Sequence, residues 1–438
     1  MGLKTDNRKD RFRKRLFLVF LYLLLLPSIQ GKFQIIHSKE LNGYFEQTPK
    51  PKVTLKGWMN GDFQEQFTKY REVSVGFRND MIRLFNQIDL SLFSLPHAER
   101  VIVGKDKMLF TWNYIMAWLG KGLKGEKYIE EKVRELKFLQ DDLWARKKIL
   151  VLVIFPPEKP YFYPENLPDR YAHQKRVMGN YQCYVEKCRE YGVNTIDVNH
   201  WFTLMKDTSR YLFFPWSGAH WSDYGAYIAA DSAIRYIENK LNKKLPHLVI
   251  DSLEQTDMPR HLENDISLTM NLIWDIKGKD LVKPFYHTDF GATAQKPSAL
   301  FIGDSYYWGW DDQGLTDSIF RNKEFWYYDK EVFPAGPAGV RQTTDIDLVK
   351  EVEKHEVIII MHVCGGEGDM GSGFIDRAYA VFDTSSNNKI LNIEKSIRNS
   401  REWMAQIEIK AKENKVTINQ MVQNDAIYLV NQELLKHK

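Results

Sequence analysis

Three almost entirely apolar runs along the chain predict strands that are buried on both faces. They span residues 148–155, 298–302 and 357–363, and each is too short for an ordinary helix. Ahead of the first run, residues 128–142 repeat apolar side chains at helical spacing, at Ile129, Val133, Leu136 and Leu139. Because strands alternate with helices, the pattern predicts a three-layer α/β/α fold around a mostly parallel sheet.

Weaker patterns fill in the rest of the chain. We expect a helix around 77–85, a long helix at 171–191, and shorter ones at 228–241 and 347–355. Further strands are predicted at 195–198, 248–251 and 325–328. The charged tail from residue 393 is helical, with Ile393, Ile397, Met404 and Ile407 on one face, and it either packs back on the domain or binds a partner.

The N-terminus has the layout of a secretory signal. Six basic residues between Arg8 and Arg15 precede an apolar run at 16–26, which Pro27 is expected to break. The run is short for a membrane span, so a signal-anchor and a peptide cleaved near 28–31 both stay open. In either case the basic end stays inside and the remaining chain is exported.

Composition narrows the class of protein. The 438 residues are 44% apolar and 27% charged with a net charge of +4, so the chain is globular and carries no basic footprint for nucleic acid. The three cysteines, Cys183, Cys188 and Cys364, lack both metal-ligand spacing and an obvious disulfide pairing. We therefore expect no metal site and no cofactor.

Candidate chemistry lies directly after the central strand. Gly303, Asp304 and Ser305 follow residues 298–302, at the carboxyl edge where open α/β sheets place their ligands. On their own these three residues favour an ordinary β-turn over a catalytic site. A serine hydroxyl becomes a nucleophile only when a base takes its proton. His220, in a loop just before a predicted helix, is the candidate base.

The residues around these two positions resemble the alginate O-acetyltransferase AlgJ/AlgX-like family, which has an SGNH-hydrolase-like fold. Three segments carry the resemblance: VGKDKMLF at 103–110, HWSDYGA at 220–226 and FIGDSYYWG at 301–309. The segments FWYYD at 325–329 and GFID at 373–376, with the charged tail, resemble the exported Bacteroidetes-type version. The likeness runs from about residue 101 to 379.

The resemblance implies O-acetyl transfer onto an exported polysaccharide. By match, Ser305 takes the acetyl group and His220 activates it, while a membrane-bound O-acyltransferase supplies acetyl groups. The backbone N–H of Ser305 is implied as an oxyanion donor, and the loop 361–371 is a candidate for others. The implied location is the periplasmic face of the inner membrane, or the periplasm if the signal is cleaved.

One departure concerns the third member of a catalytic triad. The family carries Asp two residues before the histidine, and here that position is Gly218. Asp223 is a candidate replacement, Asp304 is a weaker one, and a Ser–His dyad or an acid from elsewhere stays open. Lys159, after the strand 148–155, is a candidate contact for an anionic substrate, although plain loop packing explains it equally well.

These observations predict four regions and three functions. The regions are a signal or signal-anchor at 1–31, a linker and extension at 32–100, an SGNH-hydrolase-like domain at 101–390, and a helical tail at 391–438. The first function is a polysaccharide O-acetyltransferase, and the second is an acetyl-esterase of the same fold. The third, favoured by Gly218, is a carbohydrate-binding or assembly component without a working triad.

Overall fold

The computed structural model describes residues 7–43, 48–337, 339–364, 369–414 and 416–436. Its strands are β1 (Val101–Val103), β2 (Leu109–Thr111), β3 (Leu150–Phe155), β4 (Thr195–Asp197), β5 (His247–Thr256), β6 (Leu281–Asp289), β7 (Ser298–Gly303), β8 (Arg321–Tyr327), β9 (Glu331–Gly336), β10 (Gly339–Gln342) and β11 (Val357–Met361).

Helices make up most of the remaining structure. They are α1 (Asn7–Phe33), α2 (Leu55–Asn60), α3 (Asp62–Ser74), α4 (Arg78–Phe93), α5 (Trp112–Trp118), α6 (Glu126–Lys147), α7 (Lys159–Phe162), α8 (Asp169–Ala172), α9 (Asn180–Tyr191), α10 (Val198–Met205), α11 (Asp223–Leu241), α12 (Asp265–Thr269), α13 (Trp308–Asp311), α14 (Leu348–Val352), α15 (Phe374–Phe382), α16 (Thr384–Asn399), α17 (Arg401–Glu413) and α18 (Ile418–Lys436).

The chain separates into two compact units. The first contains Met1–Val103 together with Ile266–Ile276, and the second contains Gly104–Asp265 and Lys277–Lys438. The segment 266–276, which the sequence-based division places inside the 101–390 domain, therefore belongs with the N-terminal residues. The helical tail belongs to the second unit.

A seven-stranded sheet organises the second unit, in the order β10-β9-β8-β7-β11-β3-β4. The five strands from β8 to β4 are parallel, and β9 and β10 continue the sheet antiparallel at one edge. Helices α6, α9, α14 and α15 cover one face, while α10 and α11 lie against the other. This confirms the three-layer α/β fold with a mainly parallel sheet.

The apolar runs are the central strands of this sheet. Every residue of β3, β7 and β11 is buried, which explains why their sequences show no polar alternation. The strand predicted at 248–251 is part of β5, which pairs with β6 in a separate hairpin outside the main sheet. The connection between β5 and β6 supplies one residue of the site described below.

Two predicted elements differ from the structure. The helix expected over 171–191 is two helices, α8 and α9, because residues 173–179 leave the helical path before α9 begins after Gly179. Pro27 does not end the N-terminal helix, since α1 continues to Phe33 with the proline inside it. The helix Arg11–Phe33 has 23 residues and contains an 18-residue window with a mean hydropathy of 1.8, so its length and composition suit a membrane span.

The tail helices α16, α17 and α18 pack on one another and on α15. Their shared core contains Ala380, Ile390, Ile397, Ile407, Val422, Ala426, Ile427 and Val430. Ile393 and Met404 lie against the edge of that core. The apolar face expected from the sequence is thus turned inward.

Candidate active site

Close packing of two strands fixes the backbone beneath Ser305. A Cβ atom on Gly303 would lie 2.0 Å from the carbonyl oxygen of Met361, so no larger residue fits where β7 passes β11. The Asp304 N–H donates to that same oxygen at 3.2 Å. Glycine at 303 therefore has a steric reason at this position, beyond turn formation.

Asp304 ties the turn that carries Ser305 to the neighbouring strand. Its Oδ1 accepts from the Tyr306 N–H at 3.0 Å, which caps the short 3₁₀ turn Ser305–Tyr307. Its Oδ2 accepts from the Val363 N–H, just beyond β11, at 2.7 Å. Both carboxylate oxygens of Asp304 thus accept backbone N–H groups and hold the turn against the neighbouring strand.

His220 meets Ser305 at the carboxyl edge of the sheet. The distance from His220 Nε2 to Ser305 Oγ is 2.7 Å, which is direct hydrogen-bond distance. The imidazole is buried, with 7% of the residue exposed. The two residues singled out in the sequence, 85 positions apart, are brought together in the geometry of a nucleophile and its base.

Asp265 occupies the position of the third triad member. Its Oδ2 lies 2.8 Å from His220 Nδ1, and its Oδ1 accepts from the Ala219 N–H at 2.8 Å. A carboxylate at Nδ1 favours the tautomer with the proton on that nitrogen, so that Nε2 is free to accept the serine proton. Sequence reasoning missed Asp265, which lies 45 residues beyond His220 in the β5–β6 connection.

Gly218 explains how this acid reaches the histidine. A Cβ atom at residue 218 would lie 2.5 Å from the Leu262 carbonyl oxygen and 2.7 Å from that of Glu263. Backbone from the β5–β6 connection therefore fills the space that a side chain at 218 would need. The same connection places Asp265 next to the imidazole. The absence of a side chain at 218 therefore leaves room for the segment that supplies the acid.

Asp223, the replacement acid considered above, does not hydrogen-bond to His220. Its carboxylate pairs with Arg260 at 3.6 Å, and its N–H donates to Glu263 Oε1 at 3.0 Å. Asp223 is the first residue of α11, where a carboxylate is stabilised by the helix N-terminus. Burial raises the pKa of Glu263 to about 7, and the neighbouring Asp223 carboxylate adds to that rise.

Lys159 supports, from the protein interior, the loop 216–220 that carries His220, which we call the histidine loop. The side chain is buried, and its Nζ donates to the carbonyl oxygens of Trp216 at 3.0 Å and Gly218 at 2.8 Å. Burial lowers the pKa of Lys159 to about 7, against an opposing effect of Asp265. Of the two alternatives for Lys159, the structure therefore favours loop packing over contact with an anionic substrate, because the side chain is buried and its ammonium group is bonded to the backbone.

Two more polar side chains lie at this sheet edge. Tyr328, directly after β8, interacts through its phenol with Ser305, and burial raises the pKa of that phenol. His362, directly after β11, has its ring nitrogens 2.9 Å from the Val363 oxygen and 3.0 Å from Ser372 Oγ. Within the loop 361–371, residues 365–368 lie outside the described part of the chain, so the predicted oxyanion donors there stay a prediction.

Comparison with known proteins gives a family match that covers this site in part. Residues 101–307 match the family model of the SGNH hydrolase-like domain of the acetyltransferase AlgX, a range that includes Ser305, His220 and Asp265. No curated protein matches the chain.

Three solved structures are remote neighbours of the chain. The O-acetyltransferase domain of Pseudomonas putida AlgJ is 16% identical, with 65% of this chain and 99% of that chain covered and a TM-score of 0.44. Pseudomonas aeruginosa AlgX is 16% identical, with 65% and 67% covered and a TM-score of 0.42. Bacillus cereus PatB1 is 12% identical, with 61% and 97% covered and a TM-score of 0.37.

Proposed function

We propose that the chain is an exported polysaccharide O-acetyltransferase of the AlgJ/AlgX-like family, because residues 101–307, which contain Ser305, His220 and Asp265, match the SGNH hydrolase-like domain of the acetyltransferase AlgX. Ser305 is the nucleophile, His220 the general base and Asp265 the acid that orients the imidazole. The observation that carries the proposal is the continuous hydrogen-bonded chain Ser305–His220–Asp265, with links of 2.7 and 2.8 Å.

The first half of the reaction loads the serine. Ser305 Oγ attacks the acetyl carbonyl of the donor while its proton passes to His220 Nε2, and Asp265 stabilises the resulting imidazolium. The Ser305 N–H lies at the first position of its 3₁₀ turn, where backbone donors have no partner within the turn, and it is the proposed donor to the oxyanion. The tetrahedral intermediate collapses, the leaving group takes the proton from His220, and acetyl-Ser305 remains.

The second half transfers the group to the polysaccharide. A sugar hydroxyl attacks acetyl-Ser305 while His220 removes its proton, and collapse returns that proton to Ser305 Oγ and releases the acetylated sugar. A membrane-bound O-acyltransferase is the proposed source of acetyl groups, and α1 is the proposed anchor. If water replaces the sugar hydroxyl, the same steps make the enzyme an esterase, so the acceptor decides between the two.

Asp265 also bears on the non-catalytic alternative. That alternative rested on Gly218, which leaves the family's usual acid position without a carboxylate. An acid from the β5–β6 connection now lies at hydrogen-bond distance from the imidazole. The sequence departure therefore no longer favours a binding component without catalysis.

The proposal is tested by trapping the acyl-enzyme. The full chain, purified in detergent, is incubated with a chromogenic acetyl ester, and its peptides are examined by mass spectrometry. We expect acetate release and an acetyl group on Ser305, with both lost in Ser305→Ala. Ser372→Ala is the matched control, because that serine also contacts a histidine ring, at 3.0 Å, but lies outside the triad.

Two further outcomes separate the candidate functions. Adding oligosaccharide acceptors and recovering acetylated sugars supports transfer, whereas release of free acetate alone supports an esterase. Ester turnover that continues in Ser305→Ala, or no labelling of Ser305 by a serine-reactive probe, would contradict both enzymatic proposals.

A further inference from the structure

Helix α4 in the N-terminal unit buries polar side chains and exposes apolar ones, which is the reverse of the usual pattern for a helix of a soluble protein. Its buried side chains are the polar ones, Arg83 and Asn86. Arg83 donates to the carbonyl oxygens of Leu272 at 3.1 Å and Glu40 at 2.6 Å, and Asn86 donates to that of Met270 at 2.8 Å. These bonds hold the polar face against other chain segments of the same unit, so the orientation of α4 is specified.

The opposite face of α4 is apolar and exposed. It contains Met81, Leu84, Phe85, Ile88 and Leu92, which recur at helical spacing and form what we call the α4 stripe. Their exposed fractions range from 40% at Leu84 to 71% at Leu92. A row of large apolar side chains with no charged residue among them marks a surface that is covered in the working protein.

The α4 stripe is continuous with the candidate membrane span. The Gly76 N–H, just before α4, donates to the Pro27 carbonyl oxygen of α1 at 3.1 Å. A Cβ atom on Gly76 would lie 2.4 Å from that oxygen and from the Gly31 nitrogen, so the two backbones are in direct contact. Helix α4 therefore begins against the carboxyl-terminal end of the apolar helix, where a span would leave the bilayer.

Similar chemistry is found in the short helices before α4. Helices α2 and α3 contain no buried residue, and they expose Trp58 and Met59 together with Phe67. Trp58 lies against Phe63 with ring centroids 5.6 Å apart. Aromatic side chains next to a span are typical of the membrane–water interface.

We propose that the α4 stripe lies in the interfacial zone of the bilayer that α1 spans, with α4 parallel to the membrane surface. Such helices bury an apolar face at the boundary of headgroups and acyl chains. The proposal rests on the proposed role of α1 as an anchor, and it adds a second, independent membrane contact.

The experiment measures where α4 lies in vesicles that contain the full chain alone. Single variants Phe85→Cys and Leu92→Cys are labelled with an environment-sensitive fluorophore; the native cysteines are free but buried, so labelling is selective. Lys244→Cys, on an exposed side chain of the other unit, is the matched control. The vesicles carry phospholipids with a nitroxide near the headgroup, and iodide is added to the water as a second quencher.

We expect the lipid nitroxide to quench the labels at 85 and 92 several times more strongly than the label at 244, and iodide to do the reverse. Labels on α4 that iodide quenches freely would overturn the proposal. Labels shielded from both quenchers would overturn it as well, because they would indicate a protein partner or a second copy on the stripe.

Vesicle flotation separates this result from failure of the anchor. Protein that does not float with the vesicles contradicts the role of α1, whereas protein that floats with an unquenched α4 contradicts only the role of the stripe. Acetyl transfer is not part of the readout, so the enzymatic proposal stands or fails separately.

Discussion

At the scale of single residues, the acid partner of His220 decides whether the site is a working triad. Asp265 has one oxygen on the imidazole and the other on the Ala219 N–H, so its position is fixed by two hydrogen bonds of 2.8 Å. An amide at this position would keep the shape of the side chain but remove the charge that stabilises the imidazolium.

We therefore expect Asp265→Asn to fold normally and to slow acetylation of Ser305 by about 10⁴-fold, the loss seen when a triad acid becomes an amide. Stopped-flow measurement of the acylation rate checks this result. Asp223→Asn is the control and should change the rate little, since Asp223 pairs with Arg260. A larger loss from Asp223→Asn would show that the acid has been wrongly assigned.

Gly218 offers a test of why the acid comes from a distant segment. In Gly218→Ala the new Cβ meets the backbone at 262 and 263, so that segment must shift together with Asp265. We expect a loss of stability of about 1–3 kcal/mol and slower acylation even in the folded fraction. Chemical denaturation and the acylation rate measure the two effects; unchanged values of both would show that the segment moves without cost.

Lys159 predicts a pH dependence of stability with a definite sign. Its pKa is about 7 in the folded protein and near 10.5 when unfolded, so between these values the unfolded chain binds more protons. Stability is therefore expected to rise with pH across that window, with a slope of at most about 1.4 kcal/mol per pH unit from this group. Because the Lys159 side chain is buried, its titration changes no charge on the protein surface.

The variant Lys159→Met removes this titration and two hydrogen bonds to the histidine loop. We expect lower stability overall and a flatter change between pH 7 and pH 10, measured by urea unfolding of both proteins at each pH. Lys187→Met, a change to a lysine that pairs with acids on the surface, serves as the comparison. A slope unchanged in Lys159→Met would contradict the lowered pKa.

At the scale of elements, the contact between β7 and β11 positions the nucleophile. These strands pair in parallel from Ala299 opposite Val357 to Gly303 opposite Met361. We expect Gly303→Ala to disrupt the pairing at its carboxyl end, with a loss of at least about 2–3 kcal/mol because the clash is with backbone. Thermal unfolding measures this, and Gly336→Ala, where a Cβ has only one neighbour within 4 Å, at 3.8 Å, is the control.

The sequence predicted the elements whose pattern is local. Strands such as β3 and β11 are recognisable because burial on both faces leaves an uninterrupted apolar run. The break between α8 and α9 was not predictable in this way, since residues 173–179 contain no proline, and the glycine at 179 is a single weak signal of a helix boundary. Likewise, no local signal separates Pro27 inside a helix from a proline that ends one.

The site was predictable in part for the same reason. Ser305 and His220 each lie in a segment with its own motif, whereas Asp265 lies in a connection whose sequence, Glu263-Asn264-Asp265, resembles many polar turns. Its role depends on a tertiary contact over 45 residues, which one sequence does not encode locally. Gly218 was the one available signal for the distant acid. A glycine where the family has a side chain indicates that another segment fills that space, and here the segment is the backbone at 262 and 263.

At the scale of the whole molecule, the contacts of α1 bear on the choice between an anchor and a cleaved signal. Gln30 is buried and its side chain bonds to the backbone of Ile36, while Gly31 lies against Ser74 and Gly76. Cleavage near 28–31 would remove packing that the N-terminal unit uses. The end of α1 is thus part of a folded unit.

We therefore expect the protein to keep its first 31 residues and to stay with membranes after an alkaline wash. Mass spectrometry of the purified protein detects the N-terminal peptides directly. A variant with Leu23→Arg in the middle of the apolar run is expected to lower membrane retention. Recovery of a mature chain that begins near residue 32 would contradict the anchor.

The peptide bond between Asp265 and Ile266 has a consequence for anyone who trims this protein. Residue 265 belongs to the second unit and 266–276 to the N-terminal unit, where Asn271 exchanges hydrogen bonds with Asn42. A fragment that starts near residue 104 lacks Asn42, Arg83 and Asn86 but keeps the segment 266–276, to which these three residues hydrogen-bond. In that fragment the released segment begins one peptide bond after Asp265, the proposed triad acid. Slow turnover by a soluble fragment would therefore reflect the truncation and not the activity of the full chain.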